Sequence, residues 1–131
     1  MYHIGVDIVE IARIKKAIAR WGDSFLRRVY TESELEVCSD RLSSLAARFV
    51  GKEAAIKALK QTSGISWHHI EVLSEANGRP VIRLRGQAQE QARRLGLSDL
   101  SISLSHSKEY AIAIVAGETI GPSPNDTEAP R

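Results

Sequence analysis

Two carboxylates in this 131-residue sequence stand where carboxylates are not expected. Asp7 lies in "YHIGVDIV", between Val6 and Ile8, in a segment whose alternation reads as a β-strand, where Asp is disfavoured. Glu53 lies in "RFVGKEAAIKAL", in the middle of a helical sector otherwise formed by Leu42, Leu45, Ala46, Phe49 and Ile56. A buried ionised carboxylate is costly unless it is paired or binds a metal. Two of them, from different elements, point to one shared site. The only cysteine is Cys38 and no Cys/His cluster accompanies them, which argues against a soft-ligand zinc centre. Two oxygen donors fit Mg²⁺, which completes its shell with water and substrate phosphates. Lys52 and Lys57 flank Glu53, and Arg48 precedes Lys52 by one turn, so phosphate partners are at hand. Each feature also has a plainer reading. Glu53 and Lys57 stand at i and i+4 and could pair with each other. Asp7 could cap a helix beginning at Glu10.

The second marked stretch is "SLSHSKEY". Ser101, Ser103 and Ser105 alternate with Ile102 and Leu104 and so share a face, and His106 ends the strand. No G-x-S-x-G elbow and no G-x-x-x-x-G-K-[ST] loop occurs, so neither an α/β-hydrolase nor a P-loop enzyme is indicated. A hydroxyl-rich strand end with a histidine suits an anion; a solvated serine face with a turn histidine is the alternative.

Several elements must position these groups. "YHIGVDIV" predicts a strand with Tyr2, Ile4, Val6 and Ile8 on one side and His3, Gly5, Asp7 and Val9 on the other. Gly5 shares the face of Asp7 and leaves room beside it. "EIARIKKAIARW" predicts an amphipathic helix stopped by Gly22; "DSFLRRVY" gives a short helical turn, and "TESELEVC" opens a helix with Thr31 and Glu34 at capping-box spacing. A longer helix runs from about Asp40 to Leu59, with Ala47, Gly51, Ala54, Ala55 and Ala58 forming a face suited to close packing. "HHIEVLSE" and "RPVIRLRG" flank an Asn-Gly turn, "QAQEQARRLGL" is helical, and "LSISLSH" and "YAIAIVAG" are two more strands. The order of strands and helices predicts an α+β fold with a small, mostly antiparallel sheet packed with helices. Residues 1–117 form one domain, and the polar, proline-containing segment 118–131 is expected to be a disordered tail.

Composition sets the outer bounds. Hydrophobic residues make up 43% and charged residues 26%, ordinary for a globular domain with its own core. The single cysteine, the lack of a signal-peptide pattern and the lack of a long apolar run point to a cytoplasmic protein with no membrane span. A basic first helix and the Arg-bearing "GQAQEQARRLG" leave a nucleic-acid-binding module as the rival. The 18 basic residues are balanced by 16 acidic ones and aromatics are 5%, which argues against it. A purely structural domain leaves Asp7 and Glu53 without a reason.

Four segments, "IGVDIVEIARI", "RFVGKEAAIKAL", "IEVLSEANGRPVIRL" and "SISLSHSKEYAIAIV", together resemble the holo-acyl-carrier-protein synthases, the short bacterial type of 4′-phosphopantetheinyl transferase. The resemblance runs from about Met1 to Gly117 with the motifs in order. It implies transfer of the phosphopantetheine arm of coenzyme A to a serine of apo-acyl carrier protein, release of adenosine 3′,5′-bisphosphate, and a role in fatty acid biosynthesis. It implies magnesium on Asp7 and Glu53, with Lys57 beside the coenzyme's phosphates. Arg48, Lys52, Gly64 and His106 match coenzyme-site positions, and Arg13 and Arg28 match residues that meet the acidic carrier. It also implies a homotrimer with active sites between subunits. One departure stands out. Where the family commonly continues after "KAL" with a Gly-Thr-Gly type loop, this chain has "KQTSGI", with Gly64 alone.

Overall fold

The computed structural model describes residues 1–119; from residue 120 onward the expected tail lies outside the described residues. Strand β1 (Tyr2–Glu10) is followed by helices α1 (Ile11–Trp21), α2 (Asp23–Val29), α3 (Glu32–Cys38) and α4 (Leu42–Leu59), then strands β2 (Ile70–Ser74) and β3 (Pro80–Leu84), helix α5 (Gly86–Arg94), and strands β4 (Ser101–His106) and β5 (Tyr110–Glu118). The architecture is α+β, and every strand pair is antiparallel, as predicted. The strands divide into a three-stranded sheet, β1–β5–β4, and a separate β2–β3 hairpin.

The predicted local signals act where they were read. Gly22 ends α1 at φ +55°. Thr31 and Glu34 form a complete capping box on α3. The hairpin turn is longer than the two-residue loop typical of Asn-Gly. The Glu75 N–H still donates to the Arg79 carbonyl oxygen, leaving Ala76–Gly78 as a three-residue loop with Gly78 at φ +88°.

α4 lies across the inner face of the three-stranded sheet, against β1 and β5. The strand alternation is as predicted, but the large apolar side chains face outward. On β1, Ile4, Val6 and Ile8 are exposed while His3, Gly5 and Val9 are buried; on β5, Ile112 and Ile114 are exposed while Ala111 and Ala113 are buried. The cause is close approach. Small residues on the sheet meet the small-residue face of α4, where Ala47, Gly51, Ala54, Ala55 and Ala58 are all buried. A Cβ on Gly5 would stand 1.9 Å from the carbonyl oxygen of Ala54. The room beside Asp7 is therefore filled by α4 backbone.

That packing also revises the setting of Glu53. Leu45 and Ala46 of its sector are buried, but Phe49, Glu53 and Ile56 are only half-buried, and Phe49 and Glu53 line a cleft.

Candidate active site

A cleft of about 450 Å³ opens between β1, α1, α2 and α4, lined by Asp7, Arg13, Phe25, Phe49, Glu53 and Lys57 among others. β1 brings Asp7 to it and α4 brings Glu53 and Lys57, so residues some fifty positions apart converge as the sequence reading required. Glu53 and Lys57 do not pair with each other. Lys57 Nζ instead lies 3.3 Å from Asp7 Oδ1 and donates to the Val6 carbonyl oxygen at 3.1 Å. Asp7 Oδ1 also accepts from the backbone N–H of Ile8 at 3.0 Å. The capping alternative for Asp7 is not realised, since Glu10 is the N-cap of α1 and no side chain caps that end.

Burial pushes the Glu53 carboxyl above its ordinary range, and the charge of Asp7 raises it further, with Lys57 acting partly against both. Two carboxylates that repel each other in one cleft form a donor set for a hard, oxygen-seeking divalent cation. No group of three His, Cys, Asp or Glu residues suited to a metal occurs among the described residues, so solvent or substrate oxygens must complete the shell of such a cation.

A second cleft, of about 220 Å³, is lined by Ser43, Ser44, Arg48, Gly78 and His106 among others. Arg48 is buried; its Nη2 donates to Ser74 Oγ at 2.8 Å, while its Nε has no hydrogen-bond partner among the described residues. His106, at the end of β4, is exposed. A guanidinium, a histidine and two serine hydroxyls are groups that could bind an anion. Ser43 and Ser44 carry no sequence signal of their own, because nothing in a helix-start serine pair shows that it lines a cleft with an arginine one turn on. The two clefts share no lining residue. Arg48 and Glu53 point from α4 about 140° apart, given roughly 100° per residue.

Lys52 corrects the sequence reading. It was assigned to the coenzyme site, yet its side chain is fully buried and turned to the other side of α4. Its ammonium lies 2.7 Å from Glu34 Oε1, donates to the Trp67 carbonyl oxygen at 2.9 Å, and donates also to the carbonyl oxygen of Ile70. All three protons are used, so none is left for a phosphate. Glu34 in turn accepts from the backbone N–H groups of Thr31 and Val72, at 2.9 and 2.7 Å. Burial lowers the proton affinity of Lys52 and Glu34 acts to restore it.

Arg13 of α1 lines the carboxylate cleft, whereas Arg28 of α2 lines a neighbouring one with Trp21, Ser24 and Phe25. Phe25 belongs to both clefts and joins them. Aromatic packing backs this wall, with Phe49 stacked on Trp67 at 5.1 Å between ring centroids and Phe25 beside Phe49. Gly64, in the loop after α4, adopts φ +81° and lines neither the carboxylate cleft nor the Arg48 cleft. Lys60 stands where the first glycine of the family's loop is expected, and it is itself left-handed, at φ +57°. That conformation costs a non-glycine residue about 1–2 kcal/mol.

Comparison with known proteins shows the family. The profile of the 4′-phosphopantetheinyl transferase superfamily matches residues 3–115. Among curated proteins, a holo-[acyl-carrier-protein] synthase of Dehalococcoides mccartyi is 52% identical over 118 residues, covering 90% of this chain and 99% of that protein. One from Herpetosiphon aurantiacus is 47% identical, covering 86% of this chain and 95% of its own. Among solved structures, the Helicobacter pylori holo-[acyl-carrier-protein] synthase in complex with coenzyme A is 37% identical, with a TM-score of 0.80 over 88% of this chain and 99% of that one.

Proposed function

The chain belongs to the 4′-phosphopantetheinyl transferase superfamily, and we infer that it moves the phosphopantetheine arm of coenzyme A onto a serine of apo-acyl carrier protein. The observation that carries the reading at this site is the convergence of Asp7, Glu53 and Lys57 on one cleft. The serine oxygen attacks the β-phosphorus of the coenzyme's pyrophosphate. The bond from that phosphorus to the bridging oxygen breaks, and its electron pair leaves with adenosine 3′,5′-bisphosphate. Such a transfer is governed by positioning and by charge stabilisation.

Asp7 and Glu53 would hold Mg²⁺, which when bound offsets the charge of the pyrophosphate oxygens. Glu53 is also the acceptor for the serine's proton, directly or through water; its raised proton affinity suits that role. Lys57, with its half-exposed ammonium, stabilises charge on the departing phosphate. Arg48 and His106 bind another phosphate of the same coenzyme. Arg13 and Arg28, on either side of Phe25, meet the acidic carrier. The proposed setting is the cytoplasm, at the carrier-loading step that precedes fatty acid biosynthesis. Incubation with coenzyme A, Mg²⁺ and an apo carrier should add the mass of one phosphopantetheine group to the carrier. No mass gain would sink the proposal.

The active assembly is a homotrimer whose sites lie between subunits. Two observations support this. The outer face of the three-stranded sheet carries Tyr2, Ile4, Val6, Ile8, Ile112 and Ile114, each 40–66% exposed, an apolar surface that a partner subunit would cover. The two clefts that serve one coenzyme share no residue, so one subunit's Asp7–Glu53 cleft completes its neighbour's Arg48–His106 cleft. Complementation tests the arrangement. Arg48→Ala and Glu53→Gln chains, each inactive alone, are expected to recover activity when co-assembled at equal amounts. With random assembly, about a quarter of the sites would pair an intact Glu53 with a neighbour's intact Arg48. No recovery in mixed trimers, confirmed as mixed by mass, would place each site within one chain.

A further inference from the structure

We infer that Lys57 occupies the cation site of the free enzyme with its own ammonium group and surrenders it when coenzyme arrives, so that divalent cation and coenzyme bind cooperatively. The inference rests on the proposed cation site at Asp7 and Glu53. One Asp7 oxygen is engaged twice, by Lys57 Nζ at 3.3 Å and by the Ile8 N–H at 3.0 Å. Lys57 does not take the carboxylate one turn away on its own helix; it reaches across to the strand and is steadied there by the Val6 carbonyl oxygen. The charges of the cleft already balance, with Asp7 and Glu53 against Arg13 and Lys57. A dication entering alone meets no net negative charge and is repelled by the ammonium beside its ligand.

The hold on Asp7 is weak enough to be exchanged. The Lys57 side chain is 54% exposed, and exposed pairs of this kind contribute little. The coenzyme's pyrophosphate brings negative charge and a second partner for the ammonium. Once Lys57 turns to phosphate, Asp7 is free for the cation. By linkage, coenzyme then raises cation affinity by the same factor as the cation raises coenzyme affinity.

Titration calorimetry with MgCl₂ at low salt reads this directly, with and without saturating coenzyme A. Without coenzyme, Lys57→Met is expected to bind Mg²⁺ about three- to tenfold more tightly than the native chain, although its transfer activity falls. The gain in Mg²⁺ affinity on adding coenzyme should shrink by a similar factor, while Lys57→Arg keeps the native pattern. If Lys57→Met binds Mg²⁺ no more tightly and keeps the full coenzyme effect, the exchange does not occur. If Glu53→Gln binds Mg²⁺ as well as the native chain does, the cation site itself is wrong and this inference falls with it.

Discussion

Glu53→Gln is expected to lower phosphopantetheine transfer more than about a hundredfold while leaving the protein folded, with a melting temperature unchanged or raised by about 1–3 °C. The activity loss follows from removing one of two anionic oxygen donors and the group best placed to take the serine's proton. The stability effect has the opposite sign for an electrostatic reason. Burial and the charge of Asp7 raise the carboxyl's proton affinity in the fold. The native state therefore holds the Glu53 proton more tightly than the unfolded chain does. As pH rises from the ordinary carboxylate range through the raised folded value, ionisation of Glu53 lowers stability, and above that value the deficit stays constant. Glutamine removes the deficit. Glu53 borders an open cleft, so solvent screening keeps the gain below about 1 kcal/mol. Turnover with Mg²⁺ and thermal melts with chelator across pH 4 to 8 would check both signs. Full turnover would overturn the metal assignment; an unfolded variant would make Glu53 a structural residue.

The sequence made the elements and the pair of carboxylates legible for the same reason: both are local signals. Gly22, the Thr31–Glu34 box and the alternation of β1 each act within a few residues, and each works as read. Asp7 and Glu53 were noticed because each breaks its own local pattern, and the fold then brings them together. What failed depended on partners distant in sequence. The apolar residues of β1 were visible as a stripe, but which side faces α4 is decided by how closely Gly5 and Ala54 approach. Hydrophobicity alone would place Ile4, Val6 and Ile8 inward; steric fit places them outward. Lys52 failed for the same reason. Its neighbours in sequence, Arg48 and Glu53, invited a phosphate role, while its actual partners, Glu34, Trp67 and Ile70, lie on other elements with no periodic relation to it. Arg48 and His106, which the resemblance assigns to one site, line the same cleft although they lie 58 positions apart.

Lys52→Met carries the largest expected effect on stability, a loss of about 3–5 kcal/mol. The side chain is enclosed, so the effect is not that of an exposed pair. Without the ammonium, Glu34 keeps two backbone N–H donors but loses its countercharge, and the carbonyl oxygens of Trp67 and Ile70 lose a shared donor. These groups belong to α3, the turn before β2, and β2 itself, so one lysine ties three elements to α4. The penalty comes chiefly from stranding the partner. Lys52→Met combined with Glu34→Gln should therefore lose less than Lys52→Met alone, because glutamine buries no charge, although its single oxygen can accept from only one of the two backbone N–H groups. The same variants separate the two roles that Lys52 has been given. If Lys52 is a buried tie, the folded fraction of Lys52→Met at low temperature keeps its KM for coenzyme A within about twofold, and only the melting temperature falls. A coenzyme-binding lysine would behave in reverse, with a raised KM and little change in stability. Observation of that second pattern would restore the sequence-based assignment and require Lys52 to leave its pocket when coenzyme binds.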